Sequence, residues 1–168
     1  PFVMASVNTR VVRRSNELLN GAYGADFRYD EGTVISKGAK GFLGATAVGI
    51  GTGAFAGLAA LPVTRPLLKR FLPKPGEGPT PEAIENGHYH IELRGLHPTD
   101  PSKNMTAHVK GDKDPGYGST SKMIVESALA LAQDDLPVEG GFWTPASSMG
   151  DALLSRLPTS AGVTFEIE

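Results

Sequence analysis

The sequence predicts an α+β fold with a largely antiparallel sheet, and three observations carry that prediction. Residues 87–96 and 105–110 each alternate apolar with polar side chains, as half-buried strands do, and the loop between them suits an antiparallel pair. A long apolar helix follows a glycine turn at 114–118. The last residues, Val163-Thr164-Phe165-Glu166-Ile167, alternate once more as a final strand.

The chain has 168 residues, enough for one compact domain, and its 40% hydrophobic and 20% charged residues are ordinary for a globular protein. A formal charge of −2 leaves no basic footprint, so no nucleic-acid partner is expected. Without cysteine there is no disulfide framework and no thiolate chemistry. The chain opens at Pro1 with PFVMASVNTRVVRR, which reads as the inside of a fold and lacks a signal-peptide pattern, so a missing N-terminal part is expected.

Taken in order, Asn8 or Thr9 can cap a helix from Arg10 through Leu19, with Val11, Val12, Ser15, Leu18 and Leu19 turned inward and Asn20-Gly21 ending it. Arg10, Arg13 and Arg14 near a helix start oppose the helix dipole, which a bound anion would offset; a solvated charged face is the plainer reading. Residues 23–36 alternate Phe27 and Tyr29 with Asp26, Arg28 and Asp30, predicting a half-buried strand, a turn at Asp30-Glu31-Gly32 and the start of a second strand at 33–36.

Residues 41–61 carry no charge, and small residues recur at Gly41, Ala45, Gly49, Gly53 and Gly57, one groove on a helix. Its length just reaches that of a membrane span, but glycine and alanine make it weakly hydrophobic and both flanks are basic. The expectation for the folded protein is a pliable buried helix or a lid over an apolar pocket. The second reading is attachment at an anionic membrane surface, through Leu67, Leu68, Phe71 and Leu72 interleaved with Arg65, Lys69 and Arg70. Gly49-x-Gly51-x-x-Ala54 mimics a dinucleotide fingerprint, yet the position about 20 residues on, where an acid is required, is Phe71, so it is rejected as a cofactor site.

Residues 72–81 are rich in proline and glycine and form an exposed connector, with a short helical turn starting at Thr80-Pro81-Glu82. In the strand pair, Tyr89, Ile91 and Leu93 share one face. His88, His90 and His108 fall on the other and look like a metal site, but polar sheet faces collect histidine without metal, and no metal is assigned. Ser119, Thr120 or Ser121 can cap the helix that runs to Gln133. Its apolar positions from Met123 to Ala132 suit burial between layers, at the centre of the core. After a turn at 134–141, Ala146 or Ser147 begins a further helix whose buried face is Met149, Ala152, Leu153 and Leu157.

The motifs PFVMASVNTRVVRRSN, the Gly/Ala-rich stretch followed by FLPKPGEGP, DPGYGSTSKM, and TPAS followed by a helix and a G-x-x-F strand resemble the C-terminal part of the saccharopine dehydrogenase-like oxidoreductases. The resemblance is to their trans-acting enoyl reductase branch and covers essentially the whole chain. It implies a single substrate-side and dimer-forming domain over 1–168, a mixed sheet covered by helices, and a Rossmann half with its NADP site in the part before Pro1. It further implies reduction of a carbon–carbon double bond in a long-chain lipid or polyketide intermediate of glycolipid biosynthesis. A lipid or acyl substrate, a homodimer, a polyketide synthase partner and a cytoplasmic location, peripheral at the plasma membrane, complete the expectation. Saccharopine-type amino-acid chemistry and a non-catalytic lipid-binding module are the alternatives. Hydride transfer needs a donor or cation for the developing enolate charge. Tyr117 and Arg10 are the catalytic candidates; Asn8, Thr9, Arg13, Gly116 and Gly118 are the substrate-binding ones.

Overall fold

A computed structural model describes residues 1–74 and 76–168. The chain divides into two compact units, Pro1–Gly78 and Pro79–Glu168, and the boundary falls inside the proline- and glycine-rich connector.

The first unit is helical. Helix α1 spans Ala5–Leu18, α2 Gly38–Ala60 and the short α3 Arg65–Leu68. Helix α1 starts five residues earlier than the capping signal suggested, because Asn8 and Thr9 lie inside it. The Asn8 amide is directed to Glu31 at 3.0 Å instead of to the helix end. Arg10, Arg13 and Arg14 are therefore mid-helix, and the dipole argument for an anion there lapses.

Residues 23–36 form no strand; they are irregular chain pinned to α1. Asn16 Oδ1 accepts from the Tyr23 amide at 2.8 Å, Glu31 takes the Asn8 amide, and Thr33 donates to the Pro1 carbonyl at 3.2 Å. The alternation of Phe27 and Tyr29 serves an aromatic stack instead, with Tyr23–Phe27 centroids 5.2 Å apart and Phe27–Tyr29 6.4 Å. A strand needs a neighbour for its backbone groups, and among the described residues this segment has none. Helix α2 is not a buried helix either: only Gly41 is buried.

The second unit carries the sheet. After α4, Pro81–Asn86, the strands β1, Tyr89–Gly95, and β2, Met105–Gly111, pair antiparallel with Ile91 opposite Val109. Helix α5, Gly118–Gln133, and helix α6, Pro145–Arg156, follow, and a π-helical turn, Leu157–Ala161, leads into β3, Val163–Ile167. Strand β3 pairs antiparallel with β2, Phe165 opposite Val109, in the order β1-β2-β3. The fold class is α+β, and among the described residues the sheet is antiparallel throughout rather than mixed.

Tyr89, Ile91, Leu93, Val109, Val163 and Phe165 share one face by register. The core sits at one end of that face. Leu157, Ala161 and Val163 are buried there, with Val109, Met123 and Leu153 packed around them. Helix α5 covers the sheet on one side only: Ser119, Glu126 and Ala130 are buried, while Ile124, Val125 and Leu131 are exposed. It is not sandwiched between layers. Helix α6 begins one residue ahead of the expected start, since Thr144 and Ser147 exchange side-chain and backbone hydrogen bonds as a capping box with Pro145 at the first helical position.

Candidate functional site

The turn before α5 is built by Asp114. Its carboxylate accepts from the Tyr117 amide at 2.6 Å and the Gly118 amide at 3.3 Å, so Asp114 caps the helix, not Ser119, Thr120 or Ser121. A negative charge suits a helix N-terminus. These bonds, the Tyr117 amide first, hold the Asp114 carboxyl below the usual range. Helix α4 clamps the turn from outside: the Asp114 amide donates to the Ile84 carbonyl at 3.1 Å, and Lys113 pairs with Glu85. At Gly118 a Cβ would lie 2.9 Å from Lys113 Cβ and 3.0 Å from Ile84 Cγ2, so the glycine is required by close packing.

This arrangement leaves the Tyr117 side chain free. Tyr117 is 58% exposed at the start of α5, and its hydroxyl makes no hydrogen bond among the described residues. The amides of Tyr117 and Gly118 are already directed to Asp114, so the turn offers a phenol rather than a cradle of N–H groups.

Ser119 is fully buried behind the turn, and its hydroxyl meets the Tyr89 hydroxyl at 3.1 Å. A cavity of about 210 Å3 opens farther along α5, lined by Ser121, Lys122, Val125, Glu126 and Ser160. It is smaller than the several hundred Å3 that a cofactor-sized ligand needs.

The other named residues lie on α1, in the first unit. Arg10 and Arg13, three apart, share one exposed face. Arg14 pairs with Glu17 at 2.9 Å, and Asn8 is held by Glu31. The same Glu31 accepts from the Tyr29 hydroxyl at 2.8 Å; burial first, then this carboxylate, pushes the Tyr29 pKa up to about 12.

One grouping escaped the sequence reading. Arg156 donates to both Asp134 oxygens, at 2.8 and 2.6 Å, and to Glu126 at 3.3 Å, joining α5 to α6. Glu126 is only 8% exposed, and its spacing of 30 residues from Arg156 gives no local signal. On the polar sheet face, His90 Nε2 lies 2.9 Å from His108 Nδ1, whereas His88 precedes β1. Among the described residues no three His, Cys, Asp or Glu side chains are arranged to hold a metal ion.

A nicotinamide dinucleotide does not fit the Gly49-x-Gly51-x-x-Ala54 segment. Its pyrophosphate needs glycine backbone at a strand-to-helix turn, and Gly49, Gly51 and Ala54 lie inside α2, where their amides serve the helix.

The class defined by this fold is an α+β module in which a three-stranded antiparallel sheet supports a capped helix and an exposed tyrosine. No family model matches the chain, and no solved structure matches it. Among curated proteins, a provisionally named trans-acting enoyl reductase of Mycobacterium tuberculosis H37Rv is 44% identical over 98% of this chain and 40% of its own length. A trans-acting enoyl reductase of Mycobacterium bovis BCG is 42% identical over 98% of the chain and 40% of its own length. That of Mycobacterium ulcerans is 39% identical over 96% of the chain and 39% of its own length. The chain is similar over nearly its whole length to proteins named trans-acting enoyl reductases and spans about 40% of the length of the curated relatives it matches.

Proposed function

We propose that this chain is the C-terminal, substrate-side and dimer-forming part of an NADP-dependent enoyl reductase that reduces a double bond in a long-chain lipid or polyketide intermediate of glycolipid biosynthesis. The observation that carries the reading is the 44% identity across 98% of the chain to a protein provisionally named a trans-acting enoyl reductase. On this reading the acyl substrate is handed over by a polyketide synthase in the cytoplasm. NADP supplies the hydride and is held by residues outside this chain.

Within the chain, Tyr117 is the candidate to donate a proton or hydrogen bond toward the developing enolate, a reading supported by the hold of Asp114 on its backbone and by a hydroxyl with no hydrogen-bond partner among the described residues. On α1, in the first unit, Arg10 is the candidate for positive charge and Asn8, Thr9 and Arg13 for substrate contacts, each tested by itself; in the second unit Gly116 adds no side chain beside Tyr117, whereas Gly118 serves the packing of the turn against Lys113 and Ile84.

The test uses the full-length protein with NADPH and an enoyl thioester. Tyr117→Phe lowers turnover by about a hundredfold, the usual worth of a positioned proton donor, while its melting temperature is unchanged because the hydroxyl has no structural partner. Arg10→Ala lowers turnover as well. Normal turnover in both variants removes these roles. The 168-residue chain alone shows no reductase activity, and tight NADPH binding by it in calorimetry would contradict the division of labour.

A further inference from the structure

We propose that residues 37–74 are a lipid-inserting anchor, with α2 embedded in the hydrocarbon of an anionic bilayer and the basic residues at its two ends in the headgroups. The first argument is the direction of exposure. Phe42, Ile50 and Phe55 are 74, 68 and 48% exposed, and Leu43, Val48 and Leu58 are exposed too. At about 100° per residue these six point all round the helix axis. A protein surface laid against one side would leave the rest in water, whereas hydrocarbon surrounds a helix on every side.

The polar groups of the segment are already satisfied from within. From Gly41 to Leu61 the only polar side chains are Thr46 and Thr52. Each donates to the carbonyl four residues back, Thr46 to Phe42 at 2.9 Å and Thr52 to Val48 at 2.8 Å, as hydrocarbon requires. At the C-terminal end, where an α-helix leaves carbonyls without partners, Arg65 donates to Ala59 at 3.0 Å and Ala60 at 3.4 Å. The Thr64 hydroxyl serves Leu58 and Leu61.

Charge supplies the third argument. From Gly32 to Gly76 there is no Asp or Glu, yet Lys37, Lys40, Arg65, Lys69, Arg70 and Lys74 lie there, in a chain whose formal charge is −2. Both basic clusters flank the apolar helix, which complements an anionic headgroup layer. The 23 residues of α2 extend about 34 Å, against about 30 Å of hydrocarbon in a bilayer. This inference stands apart from the reductase reading, because its test measures lipid binding and not turnover.

The full-length protein is floated with phosphatidylcholine vesicles prepared with and without phosphatidylglycerol, then washed with alkaline carbonate. The wild type floats, binds the anionic vesicles more tightly and resists the wash. The Ile50→Asp/Phe55→Asp variant loses flotation by more than tenfold with an unchanged melting temperature, since both side chains are exposed in the fold. Lys69→Glu/Arg70→Glu reduces the preference for anionic vesicles by about fivefold per charge removed. The proposal is overturned if the wild type does not float with either vesicle, or floats but is released by carbonate. It is overturned equally if the double-aspartate variant floats like the wild type, or if that variant melts lower because another protein surface covers α2.

Discussion

The ring of Tyr89 lies across Gly111, its partner on the neighbouring strand: a Cβ added at Gly111 would come within 2.1 Å of the ring's Cε1 atom. The glycine is what lets the ring lie flat over the sheet and bring its hydroxyl to Ser119 behind the α5 turn. Strand and turn are thereby one structural unit. Gly111→Ala displaces the ring and costs about 1–3 kcal/mol, the range for overpacking, while Tyr89→Phe, which removes only the hydroxyl contact, costs about 1 kcal/mol. Urea unfolding of both variants checks the order, and equal costs would show that the ring has room to move.

Acid should loosen the second unit through Asp114 and Asp134. Amide donors at the α5 start and the Arg156 guanidinium, respectively, hold these carboxyls below the ordinary range. A carboxyl whose folded pKa is depressed contributes stability above its unfolded value of about 3.9, and that stability is lost as pH falls through the lower folded value. Thermal unfolding across this acid range shows a steep fall for the wild type and a shallower one for Asp134→Asn. Arg156→Met lowers the melting temperature more than Arg14→Met does, because it strips the partner from Glu126, which is buried, whereas Arg14 pairs on an exposed surface.

Alkali should act on the first unit through Tyr29. Its pKa, pushed up to about 12 by burial and Glu31, lies above the unfolded value of about 10. The stability linked to this proton is fully present below about pH 10 and declines as pH rises toward 12. In Tyr29→Phe that alkaline decline disappears. A Tyr29 phenol that ionises at the ordinary tyrosine pH in an absorbance titration would contradict the burial and the Glu31 bond.

What local pattern can encode was legible. Alternation placed β1, β2 and β3 to within two residues, because a pleated strand with one buried face imposes that period directly. The Asp114-Pro115-Gly116-Tyr117-Gly118 turn was legible as a turn, though its capping residue was misplaced within it. The alternation at 23–36 misled, because period two marks a strand only where a neighbour accepts its backbone bonds. The spacing carries nothing of that neighbour.

By itself, then, the sequence determined the α+β class, the three strands, the connector, the apolar charge-free stretch at 41–61 and the family resemblance, all properties of short windows or matched motifs. Only the tertiary structure decided which apolar surfaces are covered. It set α5 with one bare side, left α2 exposed around its axis, closed Arg156 onto Asp134 and Glu126, and engaged the turn amides with Asp114. Burial and pairing depend on residues tens of positions apart meeting in space, and no local period records that meeting.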